Sequence, residues 1–357
     1  YSADSHTLYG ALTSSPAADW PKGSMRSIVE WDTNKPLGEI EQVEHTYAVI
    51  GNMNEHQLTV VESTWGGRPE LVDTTGIIDY GSLMQLALER AKTAREAIKV
   101  MTGLVKKYGY YSSGESFTIA APNEAWILAL IGKGPGRRGA VWVAVRIPDD
   151  CIAGHANYPR IHKIPMDDKE NCLYSPDVIS FAREMGYFDG LNKDFSFARA
   201  YLPADFGALR ACDARVWSFF RKYDSSMDNY LPYVNGESAE PFPLYVKPSR
   251  KLSVQDMKEA MRDHFEDTPF DMTQDVGAGP FKVPYRFRPM SFEVDGKSYC
   301  MERAIATQQT GFTLVGQMRN WLPDPVGGVL WFGVDDANTC VYIPMYCGIT
   351  PVSYTHL

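Results

Sequence analysis

A mixed α+β fold with stacked antiparallel sheets is predicted by this 357-residue sequence, on three observations. Hairpin-like strand pairs come early, a long amphipathic helix follows the first of them, and the chain returns to strands near its end. The first pair runs from Tyr47 to Ile50 and from Leu58 to Ser63, across a polar turn of Gly51, Asn52, Met53, Asn54 and Glu55. Asn and Gly tolerate the left-handed backbone of such a turn, and β-branched residues on both sides favour strands. Asn54 and Glu55 are expected to shape this turn. The second strand ends on Ser63 and Thr64 and meets Gly66-Gly67, where a backbone can approach another group closely.

The spacing of Leu83, Leu86, Ala87, Ala91, Ala94, Ala97, Ile98, Met101, Leu104 and Val105 predicts one helix over 82–108, with Ser82 at its start and Gly109 after its end. Strands are predicted over 25–31, 115–121, 124–131 and 140–147, with Pro122-Asn123 turning the chain between two of them. The run G-P-G-R-R-G over 134–139 fits a dinucleotide-binding pattern formally. That motif needs a helix after it to hold the pyrophosphate, and here the strand AVWVAVRI follows, so the run reads as a hairpin loop with two exposed arginines. A mostly helical excursion is expected over 168–265, with helices near 176–185 and 212–223 and one over 253–265. Ser253 caps the last and Asp256 stands in the capping-box position. Strands over 304–309, 313–318, 329–334 and 339–345 complete the expectation, and residues 1–10 read as the remnant of a strand.

Composition narrows the function classes. The apolar share of 44% and charged share of 22% are those of a globular protein. A net charge of −9 argues against nucleic-acid binding, which needs a basic surface. No apolar run reaches membrane-spanning length. The six cysteines are scattered without a C-x-x-C pair, which speaks against zinc and redox motifs. His155 and His162, seven apart with no acidic ligand pattern nearby, make a poor zinc signature. No metal and no cofactor are expected.

The runs G-N-M-N-E-H-Q-L and V-E-S-T-W-G-G-R-P-E-L resemble the dipeptidase A family of N-terminal-nucleophile (Ntn) cysteine peptidases. Y-S-A-D-S at the start, V-A-V-R-I-P-D-D-C over 143–151 and G-H-A-N over 154–157 extend the resemblance in order. It implies a four-layer αββα sandwich and a single peptidase domain over 1–351. It implies hydrolysis of dipeptides or short peptides through a thioester on an N-terminal cysteine. That cysteine is expected upstream of Tyr1, so the chain as given is expected to be inactive. The tail VSYTHL over 352–357 back-translates into a sequencing-adapter sequence and is expected to be an artefact.

The resemblance also implies site residues. Asp4 matches the aspartate that holds the nucleophile, although Tyr1 stands where many relatives carry an arginine. Asn157 matches the oxyanion-stabilising asparagine. Thr64, ten residues after Asn54, occupies an oxyanion or substrate-contacting position, and Arg199 is the candidate for an arginine near the nucleophile. An N-terminal amine supplies its own base, so His155 is expected to line the pocket or to be structural. Arg146 with Asp149 or Asp150 is expected to form an ion pair steadying the loop to Asn157. Two alternatives stay open. One is a related amidohydrolase of non-peptide amides, of penicillin V or bile-salt type, and the other a binding module without catalysis. A homo-oligomer is possible, and composition does not choose between a cytoplasmic and an exported protein.

Overall fold

A computed structural model describes residues 12–286 and 291–349, and the backbone of residues 2–4. The elements that build the site are, in chain order, β1 (Ser2–Asp4), β2 (Ser14–Ser15), β3 (Met25–Val29), β4 (Pro36–Glu41), β5 (Val49–Ile50), β6 (Met53–Asn54) and β7 (Thr59–Gly66). Helices α1 (Tyr80–Arg90) and α2 (Ala94–Tyr108) follow, then β8 (Gly114–Ala121), β9 (Glu124–Gly132), β10 (Ala140–Ile147) and β11 (Cys172–Tyr174). The helical excursion holds α3 (Val178–Glu184), α4 (Phe197–Tyr201), α5 (Ala214–Arg221) and α6 (Val254–Ala260). The chain returns to β12 (Thr310–Gln317), β13 (Val329–Val334) and β14 (Ile343–Tyr346).

Among the described residues, one large sheet has the order β11-β10-β9-β8-β7-β6-β5-β2, and a small one the order β1-β12-β13-β14. The named pairings in both are antiparallel. Side chains alternate between the faces of a strand, and β7 shows what this does. Val60 enters the core formed with α1 and α2, while Val61 packs with Leu314, Leu330 and Phe332 of the small sheet. Farther along, Ile127, Ala129, Ile131, Val141, Val143 and Val145 carry α3 and α4 on the face turned away from α1 and α2. The small sheet repeats the alternation: Leu314 faces the large sheet, and Val315 packs with Tyr342, Val254 and Met257 at α6.

The mixed α+β expectation agrees with these sheets, and β8, β9 and β10 fall within a residue or two of their expected spans. Arg137 and Arg138 stand exposed in the loop between two strands, as expected. The single helix over 82–108 is corrected to two. Its break at 91–93 comes from caps at both sides. Thr93 accepts the Glu96 N–H at the start of α2, and the buried Asn54 donates from Nδ2 to the Leu88 and Ala91 carbonyls, both at 2.7 Å. These bonds end α1 by satisfying carbonyls that a continued helix would have used. The N-cap of α1 is Asp79 and not Ser82; its carboxylate accepts from Ser82 N. Asn54 also shapes its turn, as expected, by accepting from the His56 and Leu58 N–H groups.

Two further expectations need correction. The helix over 253–265 has the anticipated Ser253–Asp256 capping box but ends at Ala260, and Phe265 sits at φ 64, outside any right-handed helix. The segment 304–309 is not a strand. Its Ala304 is drawn into the core of the helical excursion with Phe265 and Phe270. Residues 5–11, 287–290 and 350–357, with the expected tail artefact, lie outside the described residues.

Candidate functional site

The two sheets and the excursion enclose a cavity of about 930 Å³, within the range of small-molecule sites. Its wall includes Glu62, Ser63 and Thr64 of β7, Thr118 of β8, the loop Gly154–Asn157, Arg215 of α5, and Arg303. Arg146 pairs with Asp149 at 2.6 Å, as expected, where the chain leaves β10 toward that loop.

Asn157 stands at φ 54, a left-handed conformation that asparagine tolerates better than most residues. Its N–H donates to Ser63 Oγ at 3.3 Å, and its Nδ2 donates to the Thr64 carbonyl. Its Oδ1 accepts from Arg215 Nη2 at 2.8 Å and Arg303 Nη1 at 3.4 Å. Two guanidinium groups on the amide oxygen polarise the amide, so the second Nδ2 hydrogen is a strengthened donor. Arg215 is itself braced by the Ala211 and Ala156 carbonyls, at 2.9 and 3.3 Å.

His155 lies between two hydroxyls, with Nδ1 2.6 Å from Ser63 Oγ and Nε2 2.8 Å from Thr118 Oγ1. Because Ser63 Oγ already accepts from Asn157, the consistent assignment has Ser63 donating to Nδ1 and Nε2–H donating to Thr118. Burial first, then the nearby Arg160 charge, holds the imidazolium pKa down at about 3. Such a ring is neutral at working pH and too weak a base to activate Ser63. It fastens the Gly154–Asn157 loop to β7 and β8.

The same burial makes stability depend on pH. His162, beside Ser196, is also held down at about 3, by burial and then by Arg160. Both folded values lie below the unfolded 6.5. The unfolded chain therefore binds more protons between those limits, and stability falls as pH falls through 6.5 toward 3. From pH 7 to pH 5 the expected loss is about 1–2 kcal/mol per histidine. Urea unfolding at the two pH values measures it, and His155→Asn should remove about half.

Of the residues named from the sequence, Thr64, His155 and Asn157 come together on the cavity wall. Thr64 enters differently from its expected role: its carbonyl is the acceptor for Asn157, and its Oγ1 donates to Glu115 Oε1 at 2.6 Å. Arg199 is not brought to the wall. It is exposed on α4 and donates to the Ala239 carbonyl at 2.9 Å. The side chain of Asp4 lies outside the described residues, and only its backbone in β1 is placed. Sequence reading missed Ser63, Thr118, Arg215 and Arg303 as contributors. None of the six cysteines lines the cavity. Cys212 lies near Arg215 and Arg303, but burial raises its thiol above the usual range.

A sequence profile of peptidase family C69 matches residues 2–356. The chain belongs to peptidase family C69. It is 26% identical over 339 residues to a probable dipeptidase of Salmonella dublin, covering 92% of this chain and 68% of that protein. It is 25% identical to dipeptidase A of Lactobacillus helveticus, over 80% of this chain and 54% of the relative. With probable dipeptidase B of Lactococcus lactis the identity is 29%, over 76% and 52%. The chain thus spans between about half and two thirds of the length of these relatives. Among the described residues no group of three or more histidines, cysteines or acids is placed to hold a metal, and no helix is long and apolar enough to cross a membrane.

Proposed function

We propose that this chain carries the substrate cleft and the oxyanion donor of a dipeptidase. The observation that carries the reading is Asn157, held at the cavity wall through its backbone and both side-chain ends. In this reading the nucleophile is the N-terminal cysteine thiolate that the family resemblance implies, expected ahead of Tyr1, with Asp4 holding it in place. The thiolate adds to the carbonyl of the first residue. The oxyanion takes a hydrogen bond from Asn157 Nδ2, and the second amino acid leaves as the amine when the cysteine's own α-amino group, which took up the thiol proton, passes it to the departing nitrogen. Water then hydrolyses the thioester. The four-layer αββα Ntn arrangement is part of the same proposal. It draws support from the order of packing, in which α1 and α2 cover the large sheet, the small sheet packs on its other face, and α6 touches the small sheet from outside. A single peptidase domain with a helical insertion over 168–265 fits that order.

The experiment is an assay of the protein with its upstream segment restored, against unblocked dipeptides such as Ala-Ala. Hydrolysis that survives a chelator and is abolished by thiol alkylation supports the reading, and no hydrolysis of any dipeptide overturns it. A second reading, an amidohydrolase of N-acyl substrates, draws on the apolar part of the wall at Met84, Leu88, Val216, Phe219, Met257 and Met261. Hydrolysis of penicillin V in preference to dipeptides decides for it.

A further inference from the structure

The two guanidiniums on Asn157 Oδ1 come from segments that share no strand or helix. Arg215 is near the start of α5, and Arg303 lies on 301–304, a stretch without regular structure. Two cations brought to one oxygen repel each other, so the place of each depends on what anchors the backbone behind it. Those anchors meet. Glu302, one residue before Arg303, accepts a fork from Arg210, with Nε to Oε2 at 2.9 Å and Nη2 to Oε1 at 2.6 Å. Arg210 sits in a turn of π-helix over Ala208–Asp213 that runs into α5, an irregularity often found at functional sites. The residue after it, Ala211, supplies the carbonyl that accepts from Arg215 Nε. One ion pair thus joins the segment that carries Arg215 to the segment that carries Arg303.

Its surroundings hold the pair in one geometry. The two side chains are only 17% and 20% exposed. Arg210 Cζ lies 3.4 Å from the centre of the Phe270 ring, and Arg210 Nη1 donates to Asn235 Oδ1 at 3.0 Å. Phe270 belongs to the same buried cluster as Ala304, the residue after Arg303. Arg303 is therefore flanked by two anchors, Glu302 on the fork and Ala304 in the core. A bidentate arginine–carboxylate pair fixes orientation as well as charge, which a lysine cannot do. Neither Arg210 nor Glu302 lines the cavity.

We propose that Arg210 and Glu302 are positioning residues for the oxyanion donor, their fork setting Arg215 and Arg303 on Asn157 Oδ1 and through them orienting and polarising the amide. This rests on the reading of Asn157 as that donor. Without the fork Arg303 is free to move from Oδ1, and the amide loses polarisation and a fixed direction. The loss falls on the transition state, where charge develops on the carbonyl oxygen, and much less on binding of the intact dipeptide.

The test is a double-mutant cycle on the protein with its upstream segment restored, with Ala-Ala as substrate. Glu302→Gln keeps the shape of the side chain and removes its charge and one acceptor. It should lower kcat by about 10- to 100-fold, the scale of loss when a catalytic group is misplaced by about 1 Å. KM should stay within about 2-fold. Arg210→Lys keeps the charge without the fork and should give the same loss; it is read in place of Glu302→Gln if that variant does not fold. In the Asn157→Gly protein, adding Glu302→Gln should lower kcat by less than about 2-fold more, because the fork has no amide left to position. A merely structural role would carry its full loss into the double variant, and that result overturns the proposal. An unchanged kcat in the single variants also overturns it, and leaves the oxyanion reading standing if Asn157→Gly alone is slow. An unchanged kcat in Asn157→Gly sinks the reading itself and the positioning role with it.

Discussion

Replacing Asn157 with glycine is expected to lower kcat for dipeptide hydrolysis by about 100- to 1,000-fold, the loss typical of one oxyanion donor. Glycine is the informative choice because the position has φ 54. An alanine there adds backbone strain of about 1–2 kcal/mol, which mixes a folding defect with a catalytic one. Glycine keeps the backbone N–H that reaches Ser63 and removes only the amide. KM should move much less than kcat, because the strengthened donor acts on charge that develops at the carbonyl oxygen in the transition state. Arg215 complicates the experiment, since it loses the Oδ1 acceptor yet keeps the Ala211 and Ala156 carbonyls. The two kinetic constants, measured on the protein with its upstream segment restored, separate the cases. A fall confined to KM would assign Asn157 to substrate binding, and an unchanged kcat would remove it from the oxyanion site.

How much of this was legible beforehand depended on whether the cause lay nearby in sequence. The strands β8, β9 and β10 carry their own signals, β-branched and apolar residues with turn residues between them. The break between α1 and α2 does not, because its decisive cap is Asn54, 34 residues before Leu88 and 37 before Ala91. The apolar spacing runs straight through a gap made by a tertiary contact. On the cavity wall, Asn157 was named through its resemblance in G-H-A-N, but the groups that bond its side chain come from afar. Arg215 is 58 residues on and Arg303 is 146. Neither has a local pattern that distinguishes it from a surface arginine. Arg199 looked equivalent and lies elsewhere.

Breaking the ion pair of Arg160 and Asp213 is expected to have the largest effect on stability. Both side chains are fully buried, and Arg160 Nε lies 2.7 Å from Asp213 Oδ1. Arg160 Nη2 also donates to the Phe242 and Pro243 carbonyls, both at 3.1 Å, and Arg160 Cζ lies 4.0 Å from the centre of the Phe242 ring. The Asp213 Oδ2 accepts from the Tyr233 hydroxyl at 3.0 Å. One arginine thus ties the stretch after Asn157 to the start of α5 and to the backbone at 242–243, whose Phe242 is buried. Arg160→Met keeps much of the side-chain volume and removes the charge, leaving Asp213 buried beside a single hydroxyl. The expected cost is about 3–5 kcal/mol, the range for removing one partner of a buried pair. A double change, Arg160→Met with Asp213→Leu, should recover much of it, because no uncompensated charge then remains. Urea unfolding of the single and double variants measures both. The double variant also tests function: with stability restored, the loop loses its tether and Asn157 should be less well placed, so kcat should stay low. Full recovery of kcat in the double variant would mean that Ser63, Thr118 and Arg215 suffice to hold the loop through His155 and Asn157.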